Sequence, residues 1–336
     1  MRVDFEQMKT VFLTRILKGF LLVSLGLSGL IPMMPEPLSA QCSEKKVRVT
    51  YDVPYCQVQT PGKKKIQTLK FDFYEPADSS DSIRPLVITL FGGLFVFGTR
   101  QDESMLAWCT RFAENGYVAA SIDYHLMPFS QLSSKGLIRT AYMAAQDVSA
   151  AVRFFKAHSE EYRIDTNKIF LLGQSSGAVA VMHALYLDED ERPKETFAKP
   201  ALSPLHSIGT EESKAQNFSV AGAIMLWGCV INSDVIDEDE DTPICLIHGE
   251  KDKVLYLDSG RVFSMAFLPY TYGSRTVANR MQSYGNNSCE LNLLPEGKHA
   301  YYYRSVLMMS KLEQDKFETC WQYAEAFLRR YLRKQD

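Results

Sequence analysis

From residue 84 onward the chain alternates between two patterns. Short, mostly apolar runs recur: LVITLF (86–91), YVAASIDY (117–124), KIFLLG (168–173), VAGAIMLWG (220–228), PICLIHG (243–249) and ELNLLP (290–295). A strand covered on both faces reads this way, because neither side of it needs polar residues. Between the runs lie stretches with helical spacing. Ile138, Ala141, Ala145, Val148, Val152 and Phe155 recur at three- and four-residue steps, which predicts a long helix over 136–158. Residues 102–114, 178–187 and 311–333 also read as helices, the first stopped by Asn115-Gly116. Residues 47–60 and 66–74 are β-rich, with Pro61-Gly62 as a turn between them. Strands alternating with helices imply a mostly parallel, twisted sheet with helices on both faces, here with an antiparallel edge at its N-terminal end. One stretch breaks the rhythm. Residues 188–219 are polar and hold Pro193, Pro200 and Pro204, so they are expected to be either a solvated excursion or a lid over a cleft.

The first 40 residues do not belong to this pattern. Arg2, Lys9, Arg15 and Lys18 precede an apolar run from Phe20 to Met34, and Leu38-Ser39-Ala40 follows. A basic start, an apolar centre and small residues at the exit predict a secretory signal, cleaved after Ala40. The apolar run is broken by Gly26, Gly29 and Pro32, too short a span for a stable membrane helix. Residues 41–336 are then expected to form a single domain, secreted or periplasmic. All seven cysteines lie beyond residue 40. Export permits disulfides, and Cys42–Cys56 and Cys289–Cys320 are the pairs suggested by sequence proximity. Cys229 and Cys245 sit in apolar runs and read as packed small hydrophobes.

Of 336 residues, 46% are hydrophobic and 23% charged, and the net charge is −3. That is a globular composition with no basic excess for nucleic acid. Neither CxxC nor HExxH spacing occurs, so no zinc site is expected. The acidic run Asp237–Asp241 reads as a solvated loop, with a calcium site as its alternative.

Gly173-Gln174-Ser175-Ser176-Gly177 follows strand 168–173 and opens helix 178–187. A GxSxG segment there makes a sharp strand-to-helix turn that exposes the serine Oγ, with unpaired N–H groups beside it. A serine hydroxyl needs a base, and the base needs an acid to orient it. In such folds the order along the chain is serine, acid, histidine. Asp252 follows strand 243–249, and His299, in the loop after 290–295, is the only histidine beyond it. Ser175, Asp252 and His299 are therefore the predicted triad, with Glu250 and Asp258 as competing acids. An oxyanion hole needs backbone donors, expected from Ser176 and from Gly93 or Leu94 in the glycine loop after strand 86–91. Phe91, Phe95 and Phe97 would line an apolar pocket or else belong to the core.

These residues resemble the α/β-hydrolase carboxylesterases that carry an HGGGF-type oxyanion loop. FGGLFVFG (91–98) is similar to HGGGFxxG, and SIDYHLMP (121–128) to V-x-Y-R-L-x-P. The 147–178 block resembles that family's helix-strand-elbow segment, and HGEKDKVLY (248–256) its HGxxDxxVP. Within the family the chain looks closest to small secreted esterases and lipases of Bacteroidetes-like bacteria. The resemblance implies an α/β-hydrolase fold, a Ser-Asp-His triad and no cofactor. It carries over onto Ser175, Asp252 and His299, with Gly93, Leu94 and Ser176 as oxyanion donors. Phe91 stands where the motif has histidine, Leu94 where it has a third glycine, and His125 where it has arginine. The expected activity is carboxylic-ester hydrolysis through an acyl-enzyme, on small-molecule or polysaccharide-linked esters. Two alternatives stay open: a serine peptidase of the prolyl-oligopeptidase type, and a silent hydrolase fold that binds without turnover.

Overall fold

The computed structural model describes residues 47–59, 66–77, 82–303 and 311–333. The predicted signal segment, Cys42 and the 61–62 turn lie outside the described residues. Eleven strands follow in chain order: β1 (Val47–Gln59), β2 (Ile66–Pro76), β3 (Arg84–Leu90), β4 (Val118–Ile122), β5 (Ile164–Gln174), β6 (Gly222–Leu226), β7 (Cys229–Val230), β8 (Ile244–Gly249), β9 (Ser259–Arg261), β10 (Tyr270–Gly273) and β11 (Cys289–Leu294). The longer helices are α1 (Glu103–Glu114), α2 (Ser134–Ala157), α3 (Ser176–Tyr186), α4 (Ser274–Ser283) and α5 (Gln314–Arg333).

Eight strands make one sheet in the order β1-β2-β4-β3-β5-β6-β8-β11. β1, β2 and β4 pair antiparallel, and every pair from β4 through β3 to β11 is parallel. This is the mostly parallel sheet the sequence predicts, with its antiparallel edge at the N-terminal end. The apolar runs explain the middle of the sheet. Val87, Ile88, Phe170, Leu171, Ile224, Met225, Leu246 and Ile247 are fully buried, as strands covered on both faces must be. All six periodic residues of α2 are buried too, and Ser133 caps the helix by accepting from the Gly136 N–H at 3.1 Å. Among the described residues, no helix is long and apolar enough to cross a membrane.

The parallel strands matter most for the site. Loops leaving their carboxyl ends gather along one edge of the sheet. Four such loops carry Gly92–Gly98, Ser175, Asp252 and His299.

One expectation is sharpened and one corrected here. None of residues 188–219 lines the cleft. They pack along α2, because their carbonyls find fixed donors there. The Arg139 guanidinium donates to Glu195 O, Ala198 O and Pro200 O, and Gln146 Nε2 to Ser203 O and Pro204 O. Cover comes instead from a second, three-stranded sheet ordered β7-β10-β9, whose strands are only two to four residues long. The correction concerns cysteine. Cys289 and Cys320 are free thiols, as are Cys56, Cys109, Cys229 and Cys245. Cys320 is fully buried on α5, where it packs as a small hydrophobe.

Candidate active site

Ser175 sits at the turn between β5 and α3 with φ 52° and ψ −120°. A non-glycine residue held there is strained, and the surrounding contacts must hold it. The turn is anchored on both sides: the Ser175 N–H donates to Leu226 O at 2.9 Å, and the Val179 N–H to Ser175 O at 3.0 Å. Gly92 makes the crowding tolerable. A Cβ at that position would stand 3.1 Å from Ser175 Cβ.

The structure brings Ser175, His299 and Asp252 together. Ser175 Oγ is 2.8 Å from His299 Nε2, and His299 Nδ1 is 2.7 Å from Asp252 Oδ2. With its Nδ1 proton donated to the carboxylate, the imidazole offers the Nε2 lone pair to the serine hydroxyl. Asp252 is itself well held. Its Oδ1 accepts from the Val254 and Leu255 N–H groups at 2.8 and 3.0 Å. His248 Nε2 stands 3.3 Å from Oδ2. Burial works against ionising Asp252, but the charges and hydrogen bonds of His299 and His248 outweigh it and hold its pKa well below the ordinary carboxylate range. The competing acids lie elsewhere. Glu250 is exposed, and Asp258 pairs with Arg275 at 3.1 Å.

The loop after β3 faces Ser175. Leu94 and Phe95 both take positive φ, 60° and 58°, and Gly93 O accepts from the Val96 and Phe97 N–H groups. Among the described residues, the N–H groups of Gly93, Leu94 and Ser176 have no acceptor. The loop is braced without the histidine of the similar motif. The Phe91 ring stacks on Tyr124 with centroids 4.4 Å apart, and the Tyr124 hydroxyl donates to Phe91 O at 2.6 Å. Phe91 is thus core, whereas Phe95 and Phe97 line the cavity. The loop's exit is pinned by Arg100, which donates to Asp52, Asp72 and Asp123 at 2.6 to 2.9 Å. Asp52 reaches it from a bulge in β1.

The cavity over Ser175 measures about 430 Å³, within the usual range for small-molecule sites. Its walls are mainly apolar: Leu94, Phe95 and Phe97 from the loop, Leu137 from α2, and Val262 and Phe263 from the small sheet's connections. Among the described residues, no group of three or more His, Cys, Asp or Glu side chains is arranged to hold a metal ion, and this includes the Asp237–Asp241 run.

Residues 71–231 match the BD-FAE family profile. The acetyl esterase of Salmonella paratyphi A is 25% identical over 250 residues, which is 70% of this chain and 70% of that protein. These likenesses support an α/β-hydrolase carboxylesterase family for the chain. A probable isoprenylcysteine alpha-carbonyl methylesterase of Arabidopsis thaliana is 29% identical over 109 residues, 32% of this chain. The match spans only 20% of the length of that relative. The solved esterase 2 of Thermogutta terrifontis, phosphorylated by paraoxon, is similar in fold with a TM-score of 0.56. The match covers 87% of this chain and 96% of that one at 20% identity.

Sequence reasoning missed several residues of this α/β-hydrolase site. His248 was legible only as part of a motif, yet it touches the Asp252 carboxylate. Gln174, the residue before Ser175, ties the turn to two elements. It donates to Ser104 Oγ at 3.0 Å and accepts from the Tyr302 hydroxyl. Trp227, which carries positive φ, packs edge-on to His299 at 6.3 Å. Gln174 and Trp227 have no spacing signal, because each is distant in sequence from its partners, whereas His248 lies four residues before Asp252.

Proposed function

We propose that this chain is a secreted serine carboxylic-ester hydrolase that works through an acyl-enzyme. The observation that carries the reading is the hydrogen-bonded line Ser175–His299–Asp252 facing an apolar cavity. His299 takes the Ser175 proton as Oγ attacks the ester carbonyl carbon. The carbonyl oxygen becomes an oxyanion, received by the N–H groups of Ser176 and of Gly93 or Leu94. Asp252 stabilises the imidazolium that forms. His299 then protonates the departing alkoxide, and the C–O bond breaks to leave the acyl group on Ser175. Water, deprotonated by His299, attacks that carbonyl; the acid leaves and the serine regains its proton.

Two features support ester cleavage. Relatives of the chain are named as esterases, acting on acetyl and isoprenylcysteine methyl esters. The cavity walls suit an apolar group beside the reacting carbonyl. Hydrolysis of 4-nitrophenyl acetate, butyrate and decanoate tests the proposal, with Ser175→Ala alongside. Turnover abolished by the substitution is the expected result. Equal rates in both proteins, or none from folded wild type, would refute it. Export rests on the basic-apolar-small pattern of residues 1–40. The expected mature N-terminus is Gln41, which Edman sequencing of the exported protein checks.

A further inference from the structure

His299 stands in a loop, five residues beyond the end of β11, so its position depends on what grips its neighbours. Before it, the grip is backbone. The Lys251 N–H donates to Gly297 O at 2.8 Å, which ties the loop to the segment bearing Asp252. After it, the chain turns at Ala300, with φ 54°, and Tyr302 enters the core fully buried.

The Tyr302 hydroxyl is bonded in both senses. It donates to Gln174 Oε1 and accepts from the Trp108 Nε1–H at 3.1 Å. Gln174 is the residue before Ser175, and its Nε2 donates to Ser104 Oγ at 3.0 Å. Ser104 and Trp108 both belong to α1. The Tyr302 ring lies edge-on to Trp227 with centroids 4.9 Å apart, and Trp227 is in turn edge-on to His299. These five side chains, Ser104, Trp108, Gln174, Trp227 and Tyr302, are each at most 2% exposed. In so dry a place each bond is costly to break, because its loss strands a buried polar atom. The line therefore runs, with little slack, from a residue just past the base to the residue just before the nucleophile.

We propose that Tyr302 is a positioning residue for the reaction: its hydroxyl locks the His299 loop to the Ser175 turn and so sets the distance and angle between base and nucleophile. The kinetic consequence rests on the esterase reading, whereas the geometry holds with or without turnover. Proton transfer needs His299 Nε2 within hydrogen-bond reach of Ser175 Oγ. A displacement of about 1 Å at that point can cost on the order of 100-fold in rate.

Three variants test it. Tyr302→Phe removes one oxygen and both of its bonds. Gln174→Met removes the acceptor and keeps a side chain of similar length. Tyr142→Phe is the control, since it deletes an equally buried hydroxyl, bonded to Ser203 O at 3.1 Å, where the 188–219 stretch docks on α2. With 4-nitrophenyl butyrate, Tyr302→Phe should lower kcat about 30-fold and change KM less than about twofold. Gln174→Met should do the same, and the double variant should fall no further than the worse single one. Tyr142→Phe should lower Tm comparably and keep kcat within about twofold of wild type. An unchanged kcat in Tyr302→Phe overturns the proposal, as do losses that multiply in the double variant or an equal loss in Tyr142→Phe.

A second readout needs no turnover. The Nδ1 protons of His299 and His125 are each shared with an aspartate and resonate far downfield in proton NMR spectra. His299→Gln and His125→Gln assign the two signals. In Tyr302→Phe the His299 signal should shift or broaden while the His125 signal stays in place. An unmoved His299 signal overturns the proposal whether or not the wild type turns over. A displaced one, with no wild-type turnover, overturns the esterase reading and supports the positioning role of Tyr302.

Discussion

Among the described residues, two buried histidine–aspartate pairs share the same short contact. His299 Nδ1 lies 2.7 Å from Asp252 Oδ2, and His125 Nδ1 lies 2.7 Å from Asp147 Oδ2. What surrounds each carboxylate differs. Asp252 receives two backbone N–H groups and has His248 beside it, and its pKa is held low. Asp147 is fully buried and receives only the His125 ring and the His125 N–H; its Oδ1 has no partner, and burial pushes its pKa up. The far nitrogens differ as well. His299 Nε2 faces Ser175, whereas His125 Nε2 is buried without a partner. One pair ends on a serine hydroxyl and suits the proposed proton transfer from it. The other joins the end of β4 to α2 where the resembling family has an arginine. Residue types alone do not distinguish them; the hydrogen bonds to the carboxylate do.

The largest expected effect separates the pairs by activity. Asp252→Asn should lower kcat about 10⁴-fold on an activated ester, through loss of the correct imidazole tautomer and of charge stabilisation. Asp147→Asn, assayed identically, should fall by less than about tenfold, the far His125 nitrogen having no nucleophile to serve. Comparable losses would erase the distinction.

Next comes stability. Asp147→Ala strands His125 in the interior, and breaking a buried pair costs about 3–5 kcal/mol. Urea unfolding monitored by circular dichroism should show a midpoint shifted down accordingly. An unchanged midpoint would mean that the pair is not a structural joint.

Dependence on pH sharpens the contrast further. Burial opposes charging of His125, but the Asp147 charge and hydrogen bond win, so its pKa lies above the ordinary histidine value. Stability from that charge is fully present below the unfolded pKa, about 6.5, and is lost as pH rises through the folded value. His125→Gln should therefore lower Tm more at pH 5.5 than at pH 9. Asp252 behaves in the opposite sense. Its pKa is depressed, so its contribution is present above the unfolded value near 3.9 and is lost as pH falls through the folded one.

The smallest effect tests the loop beside His125. Tyr124→Phe removes the hydroxyl that bonds Phe91 O, at a cost of about 1 kcal/mol. A modest Tm decrease with a larger proportional loss of kcat would mark the hydroxyl as bracing the oxyanion loop. Equal small losses in both would assign it to the core alone.

The positions of the proposed triad were legible because each follows a strand that the apolar pattern announces. Ser175, Asp252 and His299 come after β5, β8 and β11, and parallel strands deliver their following loops to one edge of the sheet. The small sheet was not legible. Its strands are too short for a periodicity to register, and β7 lies far from β10 in sequence. The 188–219 stretch was ambiguous for a related reason. Its polarity and prolines define a loop, but only Arg139, Gln146 and Arg153 on α2 decide where that loop lies. Phe91 shows the same limit, since a phenylalanine in a loop beside a nucleophile suits a pocket and a core equally.

Chain order and hydrophobic pattern by themselves determined the strand-and-helix succession, the strained turn at Ser175 and the acid and histidine able to serve it. Those properties are local, or follow from the handed, parallel winding of such sheets. Tertiary structure alone decided which carboxylate is held ionised, which cysteines stay unpaired and which segment covers the cavity. These depend on neighbours tens to hundreds of residues apart, and the energy of a buried polar group is set by the partners it meets there.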